Sequence, residues 1–219
     1  MLKFLRAQTG LVVLTKIDLV DRETVELAEL EIRDLLVGTF LEGKPVIPFS
    51  ALDGRGAQEV LAATEAAAGE VREKAADSAF RLWIDQVRSF SGFGTVVSGT
   101  VLSGTLSREE PVQLLPSGTE TKARFLEVHH ERVDRALTGQ RVGVNLHRIP
   151  KDEVHVGMAL ASPGALRAGY LFNARLSLLP SARKPITGRP QIRLFAGTCA
   201  VRAFVVLMEG HRLEPGESC

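Results

Sequence analysis

The stretch that most constrains this chain runs from Phe80 to Gly104, FRLWIDQVRSFSGFGTVVSGTVLSG. It opens by alternating. Phe80, Leu82 and Ile84 fall on one face and Arg81, Trp83 and Asp85 on the other, as in a strand half buried in a sheet. Gly92-Phe93-Gly94 supplies turn residues. Thr95, Val96, Val97, Thr100 and Val101 then resume a β-rich run, interrupted by Gly99 and closed by Ser103-Gly104. The pattern predicts a hairpin entering a small antiparallel barrel. Glycine inside a strand marks a bulge, a barrel corner or a close approach of another chain.

Downstream the short strands continue. Val112, Leu114 and Leu115 form one, turned by Pro116-Ser117-Gly118, and Ala123 to Leu126 form the next. Val128 to Leu137 reads as polar and irregular. Gly139 to Leu146 (GQRVGVNL) and Gly157 to Ala161 (GMALA) supply two more, a spacing that suits a closed barrel. A third segment starts near Gly164. Tyr170 to Leu179, Gln191 to Phe195 and Cys199 to Leu207 alternate, and Glu214-Pro215-Gly216-Glu217 reads as a turn.

The N-terminal region has a different period. Leu2 to Gln8 reads as the end of a helix. Leu11-Val12-Val13-Leu14 is a continuous apolar run, as in a buried parallel strand, and Thr15-Lys16-Ile17-Asp18 follows it. Asp21 caps a helix whose apolar face is Val25, Ala28, Ile32 and Leu35, with Gly38 as its stop. Val46-Ile47 begins a second strand that runs into Phe49-Ser50-Ala51-Leu52. Ala57 to Lys74 reads as a second helix, and Asp77-Ser78 as the boundary before the barrel. This β-loop-α-β-loop-α order is that of a parallel α/β domain, in which ligands sit at the carboxyl ends of strands.

Of the 219 residues, 45% are hydrophobic. That suffices for a sizeable core and argues against global disorder. No apolar run approaches the roughly 18 residues of a membrane span, and Lys3 and Arg6 interrupt the start where a signal peptide would be apolar. Cys199 and Cys219 alone make neither a disulfide framework nor a zinc site, so a cytoplasmic setting is the simplest reading. Net charge is +1, but it is unevenly spread. Residues 1–79 carry 9 Lys/Arg against 14 Asp/Glu, residues 80–164 carry 10 against 9, and residues 165–219 carry 8 against 3. The basic last segment is compatible with nucleic acid contact, and equally with ordinary surface charge.

Taken together, GFGTVVSGTVLSG, TKID and SAL resemble the translational GTPases of the elongation factor Tu superfamily, and Ile84-Asp85 before the glycines looks most like the selenocysteine-specific elongation factors. The resemblance implies a multidomain α/β plus all-β fold. It would comprise the C-terminal half of a P-loop GTPase domain (residues 1–76), a complete translation-factor β-barrel (79–163) and a partial second β-barrel (165–219). The family's guanine-reading loops fall on Thr15, Lys16, Asp18, Ser50, Ala51 and Leu52. Guanine shows two adjacent donors that one carboxylate, Asp18, can accept. The Lys16 stem can lie along the base, and the Ala51 N–H can donate to the guanine carbonyl. Thr15 stands where the family more often has Asn, a variant found in the selenocysteine factors.

The same resemblance places an aminoacyl pocket at Asp85, Gln86 and Arg141. A selenol is more acidic than a thiol and is largely anionic near neutral pH, so a cationic pocket selects it over serine. Gln86 departs from the family, where this position carries a cation. Arg88, two residues on, could restore the charge, provided no bulge intervenes. His129, His130 and His147 read as surface residues. No GxxxxGK[ST] segment occurs, and no DxPGH-type segment, so phosphate and Mg²⁺ ligands are expected on sequence preceding Met1. This chain alone is expected to be inactive as a GTPase. The implied cofactors are GTP and Mg²⁺. The implied partners are selenocysteinyl-tRNA, the ribosome and an mRNA hairpin met by sequence beyond Cys219. No membrane is implied, and the protein is expected to be a monomer. The alternatives are another elongation factor Tu-like GTPase and a hydrolysis-dead RNA-binding barrel module.

Overall fold

A computed structural model of the chain describes residues 9–71, 78–90 and 92–219. The helix end expected at Leu2–Gln8 and the boundary residue Asp77 lie outside these. The chain divides into two units, Met1–Glu73 and Lys74–Cys219.

In the first unit, β1 (Val12–Thr15) and β2 (Val46–Phe49) pair in parallel, Val12 opposite Val46 and Thr15 opposite Phe49. Their carboxyl ends therefore lie side by side. Helix α1 (Arg22–Leu36) starts where the Asp21 carboxylate accepts the Thr24 N–H at 2.9 Å. That bond satisfies one of the helix's free donors and holds the Asp21 carboxyl below the usual carboxylate range. Val25, Ala28 and Ile32 are half-buried as expected, but Leu35 is 78% exposed and Leu36 takes its place. At about 100° per residue, Leu36 lies nearer the centre of that stripe than Leu35 does. Helix α2 (Ala57–Glu70) is capped at Val71, and residues 72–74 of the expected helix lie outside the described residues.

The second unit is built on β3 (Arg81–Phe90), β4 (Gly94–Ser103), β5 (Thr105–Ser107), β6 (Pro111–Leu115), β7 (Thr119–Val128), β8 (Glu131–Val133), β9 (Arg135–Leu137), β10 (Arg141–Leu146) and β11 (Ala159–Ala161). The order β10-β4-β3-β11-β6-β7 closes on itself through β10–β7, giving a six-stranded barrel with β8 added on β7. The alternation read from sequence is what fills it: Leu82, Ile84, Val97, Val112, Leu126, Val142, Val144 and Leu160 are all fully buried. One expectation fails. Residues 128–137 are not irregular: β8 extends the sheet, and β9 pairs with β5 as a separate ribbon that buries Leu106 and Ala136. The β7–β8 turn is His129-His130, both at positive φ (51° and 68°). Two positive-φ residues are what a tight hairpin of this kind requires, and Asn-Gly is the usual signal for it.

After the barrel come β12 (Ile186–Thr187), β13 (Gln191–Ala196), β14 (Cys199–Phe204) and β15 (Arg212–Leu213). β13 and β14 form a hairpin, and β12 pairs with β15. Tyr170–Leu179 is not a strand along its length. Leu176 exchanges backbone bonds with Cys219, and Leu178 N donates to Glu217 O while its carbonyl accepts from Gly216 N, whereas Tyr170 and Leu171 stand fully in solvent. The Glu214–Glu217 turn forms as read, closed by the Glu217 N–H on the Glu214 carbonyl.

Candidate functional sites

Each unit carries one candidate site. In the first, the loops after β1 and β2 meet at the carboxyl edge of the sheet. Lys16 has φ 63°, a left-handed turn that leads into a short 3-10 helix, Ile17–Leu19, with Ile17 buried. That turn leaves Lys16 exposed and Asp18 half-buried. Ser50 is wholly buried, and its hydroxyl donates to Asp18 Oδ1 at 2.9 Å. The same hydroxyl accepts from Leu52 N (3.2 Å) and Asp53 N (3.4 Å). One small polar side chain therefore shapes its own loop and aims the carboxylate of the other. Among the described residues, Ala51 N makes no hydrogen bond, so it is free to donate outward. Leu52 is 84% exposed and acts only through its backbone. Gly56, φ +77°, closes the loop: a Cβ there would fall 2.0 Å from the Pro48 carbonyl oxygen. Thr15, at the end of β1, is exposed and aligned with Phe49.

In the second unit, a 480 Å³ cavity lies on the outer face of the barrel, across β3, β4, β10, β7 and β8. A bulge puts its residues there. The β3–β4 ladder pairs Ile84 with Gly99 and Gln86 with Ser98, leaving Asp85 as the extra residue. Beyond it the register is regular, with Val87 opposite Val97 and Arg88 opposite Val96. The bulge thus precedes Gln86 rather than separating it from Arg88, so both line the cavity while Val87 packs on the core. Arg141, at the start of β10, lines it too, and its Nη2 donates to Asp85 Oδ1 at 2.7 Å. The four residues placed in the aminoacyl pocket from sequence are therefore neighbours. Asp85 serves as the partner that orients Arg141, and not as a lining residue.

The rest of the wall was not legible in the sequence. Phe93 and Phe125 meet edge to face with centroids 6.1 Å apart, and Arg132 lies over the Phe125 ring at 5.0 Å. His129 and His130, read as surface residues, line the cavity from the β7–β8 turn, with His130 Nδ1 at 3.8 Å from Glu127. Among the described residues, neither Arg88 nor Arg132 has a carboxylate partner within ion-pair distance. The cavity therefore holds three guanidinium groups, one paired with Asp85 and two without an ion-pair partner, beside the Glu127 carboxylate and against aromatic faces. Asn145 braces it. Wholly buried, it donates through Nδ2 to Phe93 O (2.7 Å) and Thr95 O (3.2 Å), while its Oδ1 has no partner.

No helix among the described residues is long and apolar enough to cross a membrane, and no group of His, Cys, Asp or Glu among them is placed to hold a metal ion. Residues 94–161 match elongation factor Tu domain 2. The selenocysteine-specific elongation factor of Desulfomicrobium baculatum is 34% identical over 211 residues, 96% of this chain and 33% of that protein. The chain thus spans about a third of that relative's length. The crystal structure of the bacterial selenocysteine-specific elongation factor EF-Sec superposes with a TM-score of 0.79 at 21% identity, covering 99% of this chain and 36% of the other. Elongation factor SelB of Methanococcus maripaludis, in its apo form, gives 0.76 at 22% identity, covering 95% and 47%. Its complex with the GTP analogue GppNHp gives 0.71 at 22%, covering 92% and 46%.

Proposed function

We propose that this chain, a homologue of the selenocysteine-specific elongation factors carrying an elongation factor Tu domain 2, is the part of such a factor that reads guanine and holds the aminoacyl end of selenocysteinyl-tRNA for delivery to the ribosome. Residues 1–76, 79–163 and 165–219 are its three domains in this reading. Asp18 accepts from the two adjacent guanine donors, Lys16 covers the base, and the Ala51 N–H donates to the guanine carbonyl, with Ser50 fixing the carboxylate. Bound GTP supplies the phosphoanhydride whose hydrolysis drives release. None of the residues here is assigned to phosphate, Mg²⁺ or hydrolysis.

The observation that carries the aminoacyl assignment is the grouping of Gln86, Arg88 and Arg141 in one cavity, with Arg141 oriented by Asp85. A selenolate entering there meets fixed guanidinium charge, whereas a serine hydroxyl gains little from it. Gln86 favours the rival reading, a general aminoacyl carrier, because it removes a cation from the family's pattern. Competition of selenocysteinyl-tRNA against seryl-tRNA at fixed salt separates the two, since shared phosphate contacts cancel. Arg141→Ala should cost the first about 1–3 kcal/mol more than the second. Equal losses leave a general carrier, and no binding of either tRNA removes the aminoacyl assignment. For the guanine loops, Asp18→Asn should shift preference from guanosine toward xanthosine nucleotides, by about 2–4 kcal/mol. Calorimetry of the chain joined to a phosphate-binding GTPase half measures it.

A further inference from the structure

The bulge that carries Asp85 is gripped from outside the barrel. Ile84 N donates to Met158 O (2.9 Å), and Ile84 O accepts from Gly157 N (3.0 Å). The Thr198 hydroxyl donates to the same Ile84 carbonyl at 2.7 Å. Thr198 lies in the turn between β13 and β14, 114 positions along the chain. Its neighbour Gly197 rests on Trp83: a Cβ there would fall 2.3 Å from the indole Cγ, at a φ of +57° that also disfavours a side chain. Gly157 approaches the turn as well, its Cβ position 3.2 Å from Cys199 Cα.

Both lone pairs of the Ile84 carbonyl are therefore engaged. The Ile84 side chain is locked in the barrel core. Asp85 comes next and has no cross-strand partner. A bulged residue lacks the ladder bonds that aim its neighbours, so its direction follows from the peptides on either side. The turn's grip on the Ile84 carbonyl fixes the peptide plane leading into Asp85. The Asp85 carboxylate in turn holds Arg141.

We propose that the β13–β14 turn is a positioning element of the cavity, acting through Thr198 on the Ile84–Asp85 peptide and so on the direction of the Arg141 guanidinium. The inference rests on Arg141 being the cation that meets the aminoacyl group. Thr198 itself touches no ligand.

Two variants test it by competition binding of selenocysteinyl-tRNA and seryl-tRNA. Thr198→Val keeps the shape and removes the donor. It should lower the preference for selenocysteinyl-tRNA about three- to tenfold, the scale of one hydrogen bond. Thr198→Ser should restore the preference, and in an Asp85→Asn background Thr198→Val should have no further effect. Gly197→Ala should push the turn off Trp83. As the chain has one tryptophan, its emission should shift to the red, with the same selective loss. The proposal is overturned if Thr198→Val leaves the preference intact or acts additively with Asp85→Asn. A Gly197→Ala protein that shifts emission while keeping the preference overturns it too, as does one whose emission does not shift. If Arg141→Ala itself fails to change the preference, the aminoacyl reading falls and this falls with it. An effective Arg141→Ala beside an inert Thr198→Val removes the turn's role alone.

Discussion

Two glycines in adjoining barrel strands should respond oppositely to the same substitution. Gly99 in β4 lies opposite Ile84 and Val142, and a Cβ added there would fall 2.1 Å from the Trp83 carbonyl oxygen and 2.7 and 2.9 Å from Leu82 Cδ2 and Cγ. The first contact is 1.3 Å short of the 3.4 Å at which ordinary contact begins. Backbone cannot swing aside, and Leu82 is fully buried. Gly99→Ala must therefore part β3 from β4. Overpacking costs about 1–3 kcal/mol, and each ladder bond weakened by the parting adds about 1 kcal/mol. A loss near 3 kcal/mol is expected. Gly143 in β10 is the control: its nearest neighbours, Glu127 and Ser98, would stand at 3.8 Å, and its φ is not positive. Gly143→Ala meets no clash and reduces the freedom of the unfolded chain, so it should be neutral or stabilising by up to about 1 kcal/mol. Urea denaturation followed by Trp83 emission compares the two on one barrel. Stabilities within about 1 kcal/mol of each other would refute the close-approach account of Gly99.

Four further outcomes are expected. The Glu70 carboxylate accepts from the Thr9 hydroxyl (2.6 Å) and from Lys44 Nζ (2.9 Å), and these hold its pKa below the ordinary glutamate value of 4.5, the Thr9 bond most strongly. The stability this gives is complete above that value and is lost as pH falls through the lowered one. Glu70→Gln should therefore flatten the melting temperature in that acid window and leave its slope elsewhere unchanged. Ser50→Ala leaves the Leu52 and Asp53 N–H groups and one Asp18 oxygen without their buried partner, which should cost about 1–3 kcal/mol in chemical denaturation. Asn145→Ala strips the Phe93 and Thr95 carbonyls of their donor, at a similar cost. Asn145→Asp should be worse in the same assay, because a carboxylate would face those carbonyl oxygens.

The barrel was legible where strands alternate, because a closed barrel buries one face of each strand and period two records it. Leu82, Ile84, Val97, Val142 and Val144 follow that rule. It failed at residues 128–137. The turn there uses His129-His130 in place of glycine or asparagine, and strands of three residues are too short to display a period. It failed again at Tyr170–Leu179, where apolar residues alternate without a sheet to bury them: Tyr170 and Leu171 are in solvent. Periodicity reports what a segment could bury, and a partner surface decides whether it does.

That the loops after β1 and β2 meet could be read because each lies within four residues of a strand end, so sequence neighbours remain spatial neighbours. The cavity could be read only on its β3 and β10 side, where motif positions carried it. Its other wall comes from β7, β8 and the turn between them, brought round by barrel closure through the β10–β7 pairing. Nothing local marks Phe125 or Arg132 as facing Arg88, 37 and 44 positions away in the sequence. Asn145 carried the one available signal, a polar residue between Val144 and Leu146 in a strand otherwise without polar side chains after Arg141. On period two it belongs to the outer face, where an asparagine needs no explanation. Its complete burial means that something covers that face, and the cover is the Phe93 turn that its amide holds in place. The same turn supplies Phe93 to the aromatic wall, so the residue that looked like ordinary strand surface braces one side of the cavity.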